Sequence, residues 1–315
     1  MKAVLARDES VPLVVDLDGA LIRTDLLYET TSAQLIRSPY SILQMAKWLR
    51  GGRANLKRQL VARTELDVAS LPYREELIDW LREEKAQGRH IVLASAADSE
   101  AVRAIADHLG LFDEFVGSDG VTNLRSEAKR ALLVERFGEH GFDYVGNSSH
   151  DLAVWPAASV AHLAGAPRSV VKKAKTLAPI GRSFDSPSEP KLPLVLKEMR
   201  LHQWAKNALV LVPVILAHLA HEMSADVHAL LALVSFCLTS SSVYVLNDLV
   251  DVVADRHHPT KKDRPFASGR LPLPVGWTLW PLLAAAGIAV GATLLPPSFL
   301  VALLGYLVLT VAYSF

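Results

Sequence analysis

Short β-branched runs alternate with helical periods in the first half of the chain. The runs are VPLVV (11–15), IVLASA (91–96) and FDYVGN (142–147), and polar residues stand at the end of each. AVRAIADHLG and SEAKRALLVERFG lie between them and close with Gly110 and Gly138. Continuous apolar runs are typical of buried parallel strands, and glycine commonly follows a helix. The alternation predicts an open, Rossmann-like α/β sheet with ligands beyond the carboxyl ends of its strands.

A long, mostly helical stretch, roughly Asp25 to Gln87, separates the first two predicted strands. It is rich in cationic side chains and also holds Trp48; the cations include Arg50, Arg53, Lys57, Arg58 and Arg63. We interpret these cations as the solvated face of a cap, and contact with phosphate or anionic lipid is the alternative.

The second half of the chain is patterned for a membrane. Residues 227–246, 275–295 and 299–315 form runs of 20, 21 and 17 residues without Asp, Glu, Lys or Arg. A membrane-spanning helix needs about 20 apolar residues, or about 17 at the short limit. A shorter apolar run, Asn207 to Ala220, precedes them. The pattern predicts four spans, at 205–221, 227–247, 275–295 and 299–315.

The charges in the connections predict the orientation of these spans. HEMSADVH (221–228) has no Lys or Arg, whereas the segment 256–270 has five. By the positive-inside rule, the basic segment and the N-terminal domain face the cytoplasm, which predicts a multi-pass protein of the cytoplasmic membrane. The N-terminus lacks the features of a secretory signal.

The overall composition adds little to this picture. The formal net charge is zero, but it averages a charged half with an apolar half, and no nucleic-acid partner is expected. The single cysteine, Cys237, excludes an intramolecular disulfide and a cysteine-based zinc cluster.

Residues suited to phosphate chemistry stand beside the predicted strands. Asp16 and Asp18 follow the first strand in DLDGAL, Ser95 ends the second, Lys129 begins a helix and Asp151 follows the third strand. One carboxylate can attack while the other transfers a proton. A hydroxyl, an ammonium and further carboxylates around one crevice can hold a phosphoryl group and Mg²⁺. Taken singly, each of these residues is weak evidence: a lone DxD usually forms a turn, a lone Lys is usually solvated, and Ser95 is also consistent with a helix cap.

In this order the residues resemble the DxDG, Ser/Thr, Lys and acidic-loop signature of haloacid dehalogenase-like phosphatases, over roughly residues 11–165. The resemblance implies that Asp16 is the nucleophile that forms an aspartyl-phosphate and that Asp18 is the general acid and base. Ser95 and Lys129 would hold the phosphoryl group. The implied Mg²⁺ ligands are Asp16, Asp18, Asn147 and Asp151.

Two positions depart from that signature. GNSSHD has Asn147 where a metal-binding Asp is common, and DLDGAL has Ala20 where Thr is frequent. An amide oxygen can still bind Mg²⁺, but with one negative charge fewer the ion binds less tightly. Phosphomonoester hydrolysis is therefore expected, with weak or lost activity as the alternative.

A second group of carboxylates stands where the second predicted span ends, in NDLVDVVAD (247–255). Asp248, Asp251 and Asp255 are spaced by three and four residues, which places them on one helix face beside Asn247. Such charges repel each other unless bound Mg²⁺ ions compensate them and, through the metal, hold a diphosphate. A frayed helix end with solvated aspartates is the alternative interpretation.

This motif and the following DRPFASGRL resemble the UbiA-type prenyltransferases, over roughly residues 195–315. The resemblance implies that Asn247, Asp248, Asp251 and Asp255 hold Mg²⁺-diphosphate, with Asp251 and Asp255 as metal ligands, and that Lys262 and Arg264 contact phosphate. MRLHQWAKN is similar to members that use phosphoribosyl diphosphate and a polyprenyl phosphate. Arg200 and Lys206 would then lie near the head group, or would act as interfacial anchors.

The predicted organisation is a phosphatase-like domain at 1–180 with a helical cap at about 25–87, a linker at 181–195, and a partial UbiA-type transmembrane domain at 196–315. The second aspartate-rich motif of that family has no counterpart in the sequence, so we expect a fragment or a truncated product. The leading hypothesis is a membrane transferase that acts on a polyprenyl (di)phosphate, with phosphoribosyl diphosphate or an aromatic compound as its other substrate. The alternatives are a phosphatase tethered by an incomplete membrane anchor and a non-enzymatic phosphate-binding scaffold.

Overall fold

The computed structural model describes residues 11–184, 190–212, 216 and 223–314. The chain divides into two compact units, Met1–Ser188 and Glu189–Phe315. The first is an α/β unit and the second consists of helices. The predicted fold class, a Rossmann-like α/β domain followed by an all-α membrane domain, is confirmed.

The first unit is built on a parallel sheet with the strand order β3-β2-β1-β4-β5-β6. The strand β1 lies inside the sheet, where Val14 pairs with Val92 on one side and with Tyr144 on the other. The strands are β1 (Leu13–Val15), β2 (Ile91–Asp98), β3 (Glu114–Ser118), β4 (Asp143–Gly146), β5 (Ala161–Ala164) and β6 (Ile180–Phe184). The side chains of β1 are fully buried because helices cover both faces of the sheet.

Seven α-helices belong to the described part of this unit. They are α1 (Leu26–Arg37), α2 (Ser41–Arg50), α3 (Arg53–Val61), α4 (Glu75–Ala86), α5 (Ser99–Leu109), α6 (Glu127–Phe137) and α7 (Arg168–Leu177). Short 3-10 turns cover Val68–Ser70, Asp151–Ala153 and Trp155–Ala157. Gly110 ends α5 in the left-handed conformation at φ +63°, as its position in the sequence predicts.

The cap is shorter than the predicted range of 25–87. The last helix of that range, α4, buries Leu77, Trp80 and Leu81 in the core on one face of the sheet. This helix is therefore the crossover between the first two strands. The cap consists of α1, α2 and α3, which together cover residues 26–61.

The second unit holds three helices that are long and apolar enough to cross a membrane. They are α10 (Met223–Val250), α12 (Leu273–Leu294) and α13 (Pro297–Ser314). The predicted spans 227–247, 275–295 and 299–315 overlap them. The prediction of a span at 205–221 falls largely on residues 213–215 and 217–222, which lie outside the described residues.

The remaining described helices of this unit are α8 (Lys191–Glu198), α9 (Trp204–Asn207) and α11 (Val252–His257), with 3-10 turns at Leu201–Gln203, Ala208–Leu211 and Lys261–Asp263. The linker predicted at 181–195 is shorter in the structure. Residues 181–184 belong to β6, and α8 begins at Lys191. The Ser- and Pro-rich composition of 181–193 predicted a linker, but its first residues form the edge strand β6.

Small and hydroxylated residues let α10 and α12 approach closely. A Cβ atom at Gly287 would lie 2.3 Å from Thr239 Oγ1 and 2.8 Å from the Ser235 carbonyl oxygen. Ser235 Oγ also donates a hydrogen bond to the Gly287 carbonyl, at 2.7 Å. Such contacts are the usual source of helix association in a bilayer, where apolar burial gives little driving force.

Candidate functional sites

The first candidate site lies where β1 ends. The Asp16 amide donates to the Val145 carbonyl at 3.0 Å, which continues the ladder with β4. The chain then turns through Gly19, whose φ of +77° favours glycine. A Cβ atom there would also meet the amide nitrogen of the Asn147 side chain at 2.1 Å. Glycine thus brings the loop of Asp16 and Asp18 against the loop that follows β4.

A chain of buried polar groups crosses this site. Lys129 Nζ donates to Asp16 Oδ1 at 2.5 Å and to the Tyr144 hydroxyl at 3.0 Å. The Tyr144 hydroxyl in turn donates to Asp151 Oδ1 at 2.8 Å. All four side chains are almost completely buried. Lys129 is therefore held in one position beside the carboxylate of Asp16.

Asp18 and Ser95 lie in the same site. Asp18 Oδ1 accepts from the Leu26 amide at 2.9 Å, which joins the loop after β1 to the first cap helix. Ser95 Oγ donates to Asp18 Oδ2 at 3.3 Å and accepts from the Ala97 amide at 2.9 Å. Ser95 lies inside β2 and not at its end, because the strand continues to Asp98. The structure thus brings together Asp16, Asp18, Ser95 and Lys129.

The loop after β4 is organised by Asp151. Its Oδ2 atom accepts from the Asn147 amide at 2.9 Å, the Ser148 amide at 2.8 Å and the Ser148 hydroxyl at 3.0 Å. Asn147 Oδ1 is buried and has no hydrogen-bond partner among the described residues. An unpartnered amide oxygen beside carboxylates fits the oxygen ligands that Mg²⁺ prefers. Of the predicted Mg²⁺ ligands, Asn147 therefore fits this metal. Both carboxylate oxygens of Asp151 already accept hydrogen bonds within the protein.

Asp16 and Asp18, the two aspartates of DLDGAL, have different pKa values. Burial raises the pKa of Asp16 to about 6, while the nearby Lys129 opposes the shift. Burial also raises the pKa of Asp18 to about 8, and the negative charge of Asp25 adds to the effect. At neutral pH, Asp16 is therefore mostly ionised and Asp18 mostly protonated. Carboxyl groups with separated pKa values are suited to different roles in one reaction.

Two cap cations contact the α/β core, although the sequence interpretation placed them on a solvated face. Lys57 Nζ donates to the Ala96 carbonyl at 2.5 Å and to Asn123 Oδ1 at 3.1 Å. Arg58 Nε pairs with Asp98 Oδ2 at 2.7 Å. Burial lowers the pKa of Lys57, although Asp18 and Asp25 favour its charged form. These two residues close the cap over the site, and no spacing in the sequence distinguished them from their solvated neighbours.

The second candidate site lies at the end of α10. Asp248 Oδ1 accepts from Arg200 Nη2 at 2.6 Å and from Arg264 Nη1 at 2.9 Å. Arg264 Nη1 also pairs with Asp255 Oδ2 at 2.6 Å. Both carboxylates are buried. One guanidinium therefore joins two members of the aspartate motif, and Arg200 supplies a second positive charge.

Asp251 does not join this cluster. α10 ends at Val250 and α11 begins at Val252, so Asp251 occupies the boundary and its side chain is exposed. The prediction placed all three aspartates on one face, but the structure brings together only Asp248 and Asp255. Within the described residues, no group of three or more His, Cys, Asp or Glu side chains is arranged to hold a metal ion. Arg200 and Arg264 supply the positive charge beside these two carboxylates.

The other residues predicted for this site, Asn247, Lys262 and Lys206, do not contact the cluster of Asp248, Asp255, Arg200 and Arg264 through any described hydrogen bond or ion pair. Asn247 Oδ1 accepts a hydrogen bond from the Ser314 hydroxyl. Lys262 and Lys206 are exposed, and neither forms an ion pair with the part of the chain that the structure describes. Lys261, which the prediction did not single out, lies 3.8 Å from Asp255 Oδ1.

Glu198 is a further acidic group that the sequence did not reveal. It ends α8, is 1% exposed and lies beside Asp248. Burial raises its pKa to about 8, and the neighbouring Asp248 adds to the shift. A neutral Glu198 at pH 7 adds no charge to the cluster. Its position fifty residues before the motif gave no signal in the sequence.

A comparison with protein families identifies the second unit. Residues 209–315 match the model of the UbiA prenyltransferase family, so the chain carries a UbiA domain at its C-terminus. An apolar helical domain of this family makes the chain a membrane protein.

Relatives extend the comparison to the whole chain. The Uncharacterized protein y4nM of Sinorhizobium fredii is 37% identical over 309 residues, which cover 98% of this chain and 59% of that protein. The Decaprenyl-phosphate phosphoribosyltransferase of Mycobacterium tuberculosis is 40% identical over 126 residues, 38% of this chain and 41% of that protein. The chain thus spans between two fifths and three fifths of the length of these relatives.

Solved structures also resemble the chain. A probable phosphoserine phosphatase from Vibrio cholerae superposes with a TM-score of 0.41 and 16% identity, over 54% of this chain and 61% of that chain. A phospho-aspartyl intermediate analogue of phosphoserine phosphatase gives a TM-score of 0.39 and 17% identity, over 60% of this chain and 98% of that chain.

Proposed function

We propose that the chain is part of a membrane transferase of the UbiA type that acts on a polyprenyl (di)phosphate and is fused to a phosphatase domain. The observation that carries the transferase is the pair of buried carboxylates, Asp248 and Asp255, joined by Arg264 at the end of an apolar helix of spanning length. The relatives named as phosphoribosyltransferases favour phosphoribosyl diphosphate as the second substrate. An aromatic acceptor is the other candidate.

In this proposal the cations at the end of α10 receive the diphosphate. Arg200 and Arg264 present guanidinium groups, which pair with phosphate oxygens in a bidentate manner. Diphosphate then leaves a carbon of the donor, and the acceptor oxygen or carbon attacks that carbon. The guanidinium groups stabilise the charge that develops on the leaving group. Coordination of Mg²⁺ by Asp251 and Asp255 stays a prediction from the sequence.

The first unit is proposed to hydrolyse a phosphomonoester. The ionised carboxylate of Asp16 attacks phosphorus, and the protonated Asp18 donates its proton to the leaving alkoxide. Asp18 then accepts a proton from the water that cleaves the aspartyl-phosphate. Lys129 and Ser95 hold phosphoryl oxygens. A Mg²⁺ ion held by Asp16 and Asn147, two predicted ligands that take no part in this proton transfer, would neutralise phosphate charge.

The orientation of the two sites supports a relay. From the positive-inside rule we propose that both sites face the cytoplasm and that both take phosphate esters. We infer that the transferase forms a phosphorylated lipid and that the first unit removes a phosphate from it. The second candidate function, a phosphatase on an inactive membrane anchor, is favoured by the exposed position of Asp251.

The test uses the full-length protein with labelled phosphoribosyl diphosphate and decaprenyl phosphate. Arg264→Met should abolish lipid labelling, and Asp16→Asn should leave labelling intact while a phosphorylated lipid accumulates. Asp79→Asn is the matched control, because Asp79 is exposed and pairs only with Arg82 among the described ion pairs. Labelling that never occurs, with intact phosphate release, would favour the anchored phosphatase. Unchanged dephosphorylation in Asp16→Asn would refute the relay.

A further inference from the structure

The cap helix α2 presents apolar side chains to solvent. Ile42 is 60% exposed, Leu43 76% and Leu49 49%, and Tyr40, directly before the helix, is 86% exposed. The opposite side of the helix is packed, and Met45 is buried there. Large apolar residues grouped on one short helix mark an interaction surface, whereas isolated ones are ordinary.

The same region is strongly one-sided in charge. No Asp or Glu occurs between Thr30 and Thr64, although the whole chain has equal numbers of acidic and basic residues. The cations in this interval are Arg37, Lys47, Arg50, Arg53, Lys57, Arg58 and Arg63. Lys57 and Arg58 contact the α/β core, but Lys47, Arg50 and Arg53 are exposed on or next to α2. The apolar side chains are therefore accompanied by positive charge alone.

An open cleft beside the start of α2 adds to this positive surface. Its volume is about 590 Å³, and its charged lining residues are two cations, Arg37 and Arg63, and one carboxylate, Glu65. The Arg63 guanidinium lies 4.8 Å from the ring centroid of Trp48, which ties the cleft to α2. Tryptophan and arginine together are frequent at the boundary between lipid head groups and acyl chains.

We propose that α2 docks the cap on the surface of an anionic bilayer. Tyr40, Ile42 and Leu43 enter the boundary between head groups and acyl chains, and Lys47 and Arg50 pair with lipid phosphates. Leu43, Lys47 and Arg50 are spaced by four and three residues and so share one exposed side of the helix. Apolar side chains accompanied by cations on an exposed helix are features of an interfacial helix. The proposal goes beyond the proposed function and holds whether or not either site is active.

Two features favour lipid over a second copy of the chain. In a two-fold contact the surface meets itself, so the cations of one copy would face those of the other with no acidic residue between them. The chain also carries three helices of spanning length, so a bilayer is always within reach of the first unit. A tethered surface encounters its partner at high effective concentration, and a weak contact is then sufficient.

The experiment uses the full chain reconstituted into vesicles of phosphatidylcholine, with and without phosphatidylglycerol. An environment-sensitive fluorophore is attached through Leu43→Cys in a Cys237→Ser background, and Lys172→Cys on the exposed side of α7 is the matched label. With phosphatidylglycerol we expect blue-shifted emission and quenching by spin-labelled lipid at position 43 alone. The double variant Lys47→Glu, Arg50→Glu should reduce that quenching to the level of the Lys172 label.

Two outcomes would overturn the proposal. In the first, the label at position 43 stays as exposed to water as the label at position 172 in both kinds of vesicle. In the second, its emission shifts equally in detergent and depends on protein concentration, which would indicate a second copy. Cys237 is buried, but Cys237→Ser exchanges side chains of similar size and is present in every labelled variant. The other substituted residues are exposed, so the fold gives no reason for one labelled variant to misfold and another not, and the label itself reports on each outcome.

Discussion

Tyr144 links two charged groups of the first site, so its hydroxyl offers a direct test of that geometry. The Tyr144→Phe substitution keeps the ring in the core and removes only the oxygen. It deletes the bond from Lys129 at 3.0 Å and the bond to Asp151 at 2.8 Å. Burial and the neighbouring Asp151 raise the pKa of Tyr144 far above its usual value, so the lost group is a neutral hydroxyl at any working pH.

The expected cost follows from these two hydrogen bonds. A hydrogen bond to a charged group contributes about 1.5–3 kcal/mol, and the relief of a buried hydroxyl offsets part of the loss. We expect the free energy of unfolding of the first unit to fall by about 3 kcal/mol. Lys129 also loses its second anchor, so we expect about tenfold slower phosphate release, which corresponds to about 1.4 kcal/mol of transition-state stabilisation.

Urea unfolding of residues 1–188 and phosphate release by the full chain measure the two effects. Tyr73→Phe is the matched control, because the Tyr73 hydroxyl makes one bond, to the Val68 carbonyl at 2.8 Å, away from Asp16. It should cost about 1 kcal/mol and leave hydrolysis unchanged. Equal losses of stability in the two variants, or normal hydrolysis in Tyr144→Phe, would refute the role of the bridge.

Two further substitutions test the packing of each unit. Gly287→Ala places a Cβ atom 2.3 Å from a neighbouring side chain, so it should lower stability in detergent by about 1–3 kcal/mol; Gly305→Ala, with no atom within 4 Å, should not. Burial tends to raise the pKa of Asp143, but hydrogen bonds from His162 and Arg89 lower it below 3.8 overall. The stability that Asp143 provides is then present above about pH 4 and is lost as the pH falls through its folded-state pKa. The free energies of unfolding of the wild type and of Asp143→Asn should therefore become equal in acid.

The order of predicted strands and helices came from continuous apolar runs. The buried inner strand β5 has only four residues, AHLA, and was not predicted, whereas the inner strands β1, β2 and β4 follow such runs. The edge strands did not, because an edge is exposed to solvent. Glu114 and Phe115 begin β3 with exposed side chains, and β6 carries Arg182 and Ser183 in the same way. A strand with several exposed residues has no continuous apolar run to detect.

The same distinction applies to the sites. Residues that belong to a compact motif, such as Asp16 and Asp18, were accessible to prediction because local spacing sets their relation. The partners that complete the sites are distant in sequence: Arg200 is 48 residues from Asp248, and Lys129 is 113 residues from Asp16. Such pairs form only when the chain folds. In the sequence, a cation that belongs to a site cannot be distinguished from one on a solvated surface.

The central position of β1 determines when the first site can come apart. Its three residues are fully buried between two parallel strands, and the Asp16 amide extends the ladder to β4. Amide protons in such a strand exchange with solvent only through the largest cooperative opening, whereas short surface helices open locally. In mild denaturant the cap should therefore exchange first, while the strand that carries Asp16 stays protected until the whole unit unfolds.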